Sequence, residues 1–439
     1  MGDVASALGA GWGPAVRGAL VTVLVLGLLG ELAAFLVWAG LEGDRPSPVT
    51  FARLGGALFL SFHRVGFSLG LPERLPPSFG EVGLSGGTLG VTLALVTGTV
   101  LACWVLGGYG AAVGDRTGGS RLARGLHGAK LGLPYALVGL VVALGVGFAV
   151  GLDGLSLSVR PSRAGAFWWP LLLGTLFGFL GGFLSLPERW GDIEAAWSRR
   201  LRGALSGGVS AAFLALGLAL IGLLFAAAAR PEATRAYFRA AFAEGTLQGV
   251  AAVGLTALAA GNLAAWVLFP SMGSCLTLSA GLARATESVC LLAYSQFPSA
   301  SAFRGLLLQG AEARDLPAAS PPHLAFLLVP LASALLGGAM AARRAGAEGR
   351  LEAAGVGAAS GLVFAVLSLV LAVLSTASLE FGAPGAEPLT VRLGPSLPGS
   401  FVVALLWGVA GGAAGGLLGR RPPWGPGLEL PPLGPPPGY

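Results

Sequence analysis

Charge is scarce in this chain. Only 11% of its 439 residues are Asp, Glu, Lys or Arg, while 54% are hydrophobic. A soluble domain of this length needs far more charge to cover its surface, so a water-soluble globular protein is excluded. Lysine is nearly missing: Lys130 is the single lysine among 27 basic residues. The three histidines, His63, His127 and His323, are scattered. There is no GxxxxGK[ST] phosphate loop, no HExxH and no GxSxG elbow. No catalytic residue, metal ligand or cofactor is therefore expected, and the chain is read as non-enzymatic. Cysteine is also rare. Cys103, Cys275 and Cys290 form no CxxC pair, so neither a disulfide framework nor a zinc site is expected, and all three are read as small apolar core residues. The net charge of +6 comes from Arg spread over short loops, with no basic stripe interleaved with aromatics. That pattern excludes nucleic acid and implies a lipid bilayer as partner.

What the chain has is long apolar runs. A helix needs roughly 20 apolar residues to cross the hydrocarbon core. Nine runs qualify: 18–41, 87–113, 131–151, 166–186, 203–229, 246–269, 323–342, 353–379 and 399–418. A tenth, 275–297, is interrupted by Arg284, Glu287 and several Ser and Thr. The expected fold is an all-α, polytopic transmembrane helical bundle over 1–419 with about ten spans. The tenth either crosses or makes 246–297 a re-entrant element, which would leave eight spans. Residues 42–86 read as an outside loop with an interfacial helix near 50–71. The tail, 420–439, is dense in Pro and Gly and reads as disordered and cytoplasmic.

Basic residues cluster in the connections 114–130, 187–202 and 343–352 and at Arg420–Arg421. All four fall on one side if both termini are cytoplasmic, which places the chain in the cell membrane as a multi-pass protein. The outside connections also carry Arg, at Arg230, Arg235 and Arg239, but at lower density.

Glycine occurs 73 times, often at four-residue spacing, as in Gly174, Gly178 and Gly182 or Gly408, Gly412 and Gly416. Small residues let membrane helices approach closely, so these rows predict glycine-rich packing inside the bundle; a homo-oligomer contact is the minor alternative.

Three features could carry chemistry. Glu31 lies mid-way along the first run, where an ionisable group costs roughly 2.5–3.5 kcal/mol to insert and marks a functional site by default. The stretch AAGNLAAWVLFPSMGSCLTLSAG holds the only asparagine, Asn262, followed by Pro270, Ser271, Gly273 and Ser274. A helix broken there would expose backbone groups, as in the substrate sites of many transporters; a span end followed by a loop is the plain alternative. Arg284 and Glu287 stand three apart and would pair on a helix.

That Asn262 stretch, with the preceding FARLGGALFLSFHRVGFSLGL, resembles the streptophobe family of actinobacterial polytopic membrane proteins. It is more distantly similar to actinobacterial membrane proteins linked to cell division. The resemblance implies a helical membrane protein and supplies no mechanism. The expected role is support of envelope or division assemblies, with membrane proteins or a second copy as partners through lateral helix contacts. The alternative is a secondary transporter with its site at Glu31 and the broken helix Asn262–Gly273.

Overall fold

The computed structural model describes residues 11–40, 47–70, 87–117, 119–152, 155–185, 196–280, 285–290, 325–382 and 388–420. It is an all-α polytopic bundle carrying one small sheet. The first half runs α1 (Trp12–Gly40), α2 (Pro48–Ser61), β1 (Phe67–Gly70), β2 (Thr88–Thr92), α3 (Val96–Thr117), α4 (Arg121–Ala129), α5 (Gly132–Gly145), β3 (Phe148–Leu152), β4 (Leu155–Pro161) and α6 (Arg163–Leu184). The second half runs α7 (Ala196–Ala228), α8 (Pro231–Ala241), α9 (Thr246–Met272), β5 (Cys275–Ala280), β6 (Ala285–Cys290), α10 (Leu328–Ala345), α11 (Arg350–Ser375), β7 (Ala377–Gly382), β8 (Leu389–Pro395) and α12 (Leu397–Gly419).

Apart from α4 in the first and α8 in the second, the halves repeat one order of elements. A long helix leads to a second helix, a strand pair and a helix; then come another helix, another strand pair and a last helix. The eight strands make one antiparallel sheet in the order β3-β4-β1-β2-β7-β8-β5-β6, so each half contributes its second strand pair and then its first. Sequence carries the same repeat. Pro161-Ser162, Gly165, Phe167, Gly174, Gly178 and Gly181-Gly182 recur at one constant offset as Pro395-Ser396, Gly399, Phe401, Gly408, Gly412 and Gly415-Gly416. In both halves the serine backbone starts the helix: Ala166 N donates to Ser162 O at 2.9 Å and Ser400 N to Ser396 O at 2.8 Å.

The glycine rows do equivalent jobs. A side chain at Gly178 would strike the Gly128 backbone, and one at Gly174 the Gly132 backbone. In the second half, Gly412 meets Gly357 and Gly408 meets Gly361 in the same way. Helix backbones in contact maximise dispersion attraction where no hydrophobic effect drives association.

Contact clustering separates two units. The first holds residues 1–192, 214–330 and 368–403, including the whole sheet; the second holds 193–213, 331–367 and 404–439. The first unit's core gathers Leu26, Leu60, Phe62, Leu106, Tyr135 and Leu173. The second is a four-helix packing in which Gly203 and Gly207 of α7 rest on Ala341 of α10, and Arg200 pairs with Glu352 at 2.7 Å.

Nine helices among the described residues are long and apolar enough to cross a membrane, counting Arg121–Gly145 as one. Helix α10 runs parallel to α12, through Gly338–Gly412 and Ala339–Gly419. Helix α7 runs against α10, with Gly203 and Gly207 on Ala341. Helix α9 ends at β5, and Ala251 near its start meets Gly40 at the end of α1. Tyr237 of α8 folds back to hydrogen-bond Thr256 of α9 at 2.6 Å.

Several expectations need correction. Residues 275–280 and 285–290 form β5 and β6, so the tenth run is not a helical span; residues 281–284 and 291–297 lie outside the described residues. Because Glu287 sits on a strand opposite Leu278, the helical Arg284–Glu287 pairing fails; Arg284 itself lies outside the described residues. The runs 87–113, 131–151 and 353–379 each included strand residues, since an apolar strand raises hydropathy as a helix does. The connection 114–130 is largely helical, and α4 buries Arg121 and Arg124. The segment near 50–71 holds helix α2, as expected, with Val49 exposed at its start and Leu60, Phe62 and Val65 fully buried at and beyond its end. Cys275 is disulfide-bonded, against the expectation of three unpaired cysteines. Of the other two cysteines, Cys103 is free, and the strand register sets Cys275 opposite Cys290. The tail from 421 on lies outside the described residues.

Candidate functional site

Helices α1 and α2 cross at a glycine contact. A side chain at Gly30 would strike Gly55 O and come within 3.2 Å of Phe59 N. The next residue, Glu31, lays its carboxyl group against Gly55, in space that any Cβ there would fill. The carboxylate faces a groove of about 770 Å³ between α1, α2 and the end of α5. Val23, Leu28, Val49, Phe59, Val142 and Val146 give it apolar walls, and Glu31 and Arg53 are its only charged lining residues among those described. Among the described residues, Glu31 makes no hydrogen bond or ion pair. An acid in apolar surroundings is costly to leave without a partner.

Behind the groove lies a polar node. His63 Nδ1 is 2.8 Å from Phe59 O, a pure acceptor, so Nδ1 carries the proton and Nε2 accepts from the Tyr135 hydroxyl. Burial pushes His63 down from 6.5 to about 4, so the ring is neutral at physiological pH. With both nitrogens satisfied, this node fixes α2 against α5 and offers no free group. Arg64 takes the left-handed conformation, φ 58°, and stacks over Trp169 at 5.4 Å. Its pKa is lowered first by burial and then by the nearby Arg392.

The second cluster expected from sequence is structural. Asn262 Nδ2 donates to Ala94 O at 2.7 Å, and its Oδ1 accepts from Val96 N at 3.0 Å. It satisfies backbone groups at the start of α3 and ties α9 to it. Trp266 Nε1 donates to Ser375 O at 2.9 Å. Pro270 and Ser271 form the last turn of α9, and the Ser271 hydroxyl donates to Leu268 O at 2.6 Å. Gly273 ends the helix at φ 96°, where a glycine is favoured. Ser274 meets the Ser400 hydroxyl at 3.0 Å. Thus Pro270 to Ser274 is a helix-to-strand junction. Asn262 does not line the Glu31 groove, so the two expected site halves do not meet there.

Sequence reasoning found Glu31 and missed Arg53, Gly55 and His63 as its surroundings. The signal was the pair Gly55-Gly56 inside an apolar helix, which marks a close approach. Among the described residues, no group of three or more His, Cys, Asp or Glu could hold a metal ion. No family model, curated protein or solved structure matches the chain, so a functional reading rests on this geometry.

Proposed function

We propose that this integral membrane protein is a non-enzymatic binder and carrier of an amphiphile, held in the groove between α1, α2 and α5. The apolar walls take the chain of the molecule, and the Glu31 carboxylate grips a cationic or hydrogen-bond-donating head. The unpartnered carboxylate on an apolar wall carries this reading. Support of envelope or division assemblies by lateral glycine ridges has less behind it, because the rows at Gly174–Gly182 and Gly408–Gly416 are already occupied inside the chain. The test is binding of a spin-labelled alkylamine and its neutral alcohol analogue in nanodiscs. Glu31→Gln should weaken the amine roughly tenfold to a hundredfold, the worth of one charge-assisted hydrogen bond, and leave the alcohol unchanged. Equal affinity of wild type and variant for the amine would refute the site.

We propose further that the strands face away from the cytoplasm, with both termini inside the cell membrane's cytoplasmic face. Two observations support this. The basic connections 114–130, 187–202 and 343–352 each join helix to helix in the order of elements, with no strand between them among the described residues, as expected of loops on the face opposite the strands. The Cys275 disulfide, beside the sheet, suits an oxidising compartment. An impermeant maleimide should label Ser68→Cys in intact cells, and Glu348→Cys only after permeabilisation. The reverse pattern would invert the topology.

A further inference from the structure

The strand register sorts the sheet into two unlike faces. Side chains alternate along a strand, and residues opposite each other across strands share a face. One row reads Val159, Leu69, Leu89, Phe381 and Leu389 across five strands. Two residues nearer the helices, on the same face, the row reads Phe67, Val91, Leu379 and Val391. The row between them, on the opposite face, reads Arg160, Ser68, Gly90, Glu380 and Thr390. Every charge in these rows is on the second face, and the first is apolar across them; beyond them, at the β6 edge, the register puts Glu287 on the first face, across from Leu278.

Among the described residues, no helix covers that apolar face completely. All its residues in these two rows are half-buried or exposed, and Leu379 is 37% exposed. A contiguous apolar surface of this kind on a folded protein marks a contact site. Its position identifies the contact. Strand β3 starts three residues after α5, β7 two residues after α11, and α6 and α12 start two residues after β4 and β8. Phe67, in the row nearest the helices, packs on the helix core itself. The apolar face therefore begins at the ends of the crossing helices, where the bilayer edge lies, and leads outward from there by two residue pairs, about 7 Å per pair.

We infer that the apolar face of the sheet seats acyl chains of membrane phospholipid at the bilayer edge, while the Arg160–Glu380–Arg392 face meets water. This stands apart from the Glu31 groove and does not depend on it. The experiment places the photoreactive benzoylphenylalanine at Phe381, at Glu380 and, as a lipid-facing reference, at Trp104 of α3, which is 70% exposed. The full chain is reconstituted in phosphatidylethanolamine–phosphatidylglycerol vesicles, irradiated, and analysed by mass spectrometry. Phe381 should form phospholipid adducts as Trp104 does, and Glu380 roughly tenfold fewer, a difference of about 1.4 kcal/mol. Leu89→Asp, beside Phe381 on the same face, should lower the Phe381 adducts by a similar factor without changing those at Trp104. Chain-to-chain crosslinks at Phe381 would assign the face to a second copy. That result, equal adducts at Phe381 and Glu380, or none at Phe381 while Trp104 labels, would overturn the inference.

Discussion

The two halves share an order of elements yet use the helix before their first strand pair differently. In the first half, α2 packs on α1, its neighbour in sequence, with Gly30 on Gly55. In the second, α9 packs on the first half: Gly254 meets Leu36 of α1, and Asn262 holds the start of α3. Chemistry follows the same division. Glu31, Arg53 and His63 all lie on or beside α1 and α2, whereas α7 carries no charged residue from Gly203 to Ala229. The frame of elements recurs, and the charged groups of the groove lie in one copy. The other copy contributes a brace, α9, that closes against it.

The comparison breaks most visibly at the glycine contacts. Gly178→Leu and Gly412→Leu each drive a branched side chain into a facing helix backbone, at Gly128 and Gly357. Overpacking that a core can absorb costs about 1–3 kcal/mol; a backbone collision cannot be absorbed by rotamer change and should exceed that range. Neither variant should give a monodisperse peak on size exclusion in mild detergent. A folded Gly412→Leu protein beside an unfolded Gly178→Leu one would show that the halves are not packed alike.

A smaller effect separates the polar half from the apolar one. His63 is neutral when folded, with a pKa of about 4 against 6.5 ordinarily. Between those values the unfolded chain binds more protons than the folded one, so stability rises with pH across that window. It is complete above pH 6.5, falls as pH drops toward 4, and is flat with respect to this group below that. The loss should reach about 3 kcal/mol, read as a falling melting temperature in detergent. His63→Phe should flatten that slope. A wild-type melting temperature constant from pH 7 to 4 would remove the buried neutral histidine.

Sequence made the crossing helices legible because length and hydropathy are what a bilayer selects. It made Glu31 legible for the same reason, as an exception to apolarity. The strands were hidden. LSLSVRP, CLTLSA and LTVRLGP alternate apolar and polar residues, the period of a half-buried strand, but each adjoins a helix rich in the same residue types. A window wide enough to find a span averages that alternation away. Asn262 looked like a site because it is unique and precedes Pro270. Both features serve local backbone satisfaction, which depends on partners distant in sequence, Ala94 and Val96.

The finest test compares two serines in one motif. Ser162 caps α6: its hydroxyl accepts from Gly165 N at 3.1 Å. Its counterpart Ser396 shows no such bond, and its backbone is sewn into the sheet instead, with Ser396 N donating to Cys275 O at 2.9 Å. Pro398 follows at the second helical position, where its fixed φ already favours a helix start. Losing a serine cap costs about 1 kcal/mol. Ser162→Ala should therefore lower stability by that amount, and Ser396→Ala should fall within about half of it, because the anchoring there is through the main chain. Urea or thermal unfolding of the two variants in the same detergent resolves the difference. Equal losses would mean that the second serine also caps its helix, so that the repeat extends from element order down to the hydrogen bonds that begin each last helix.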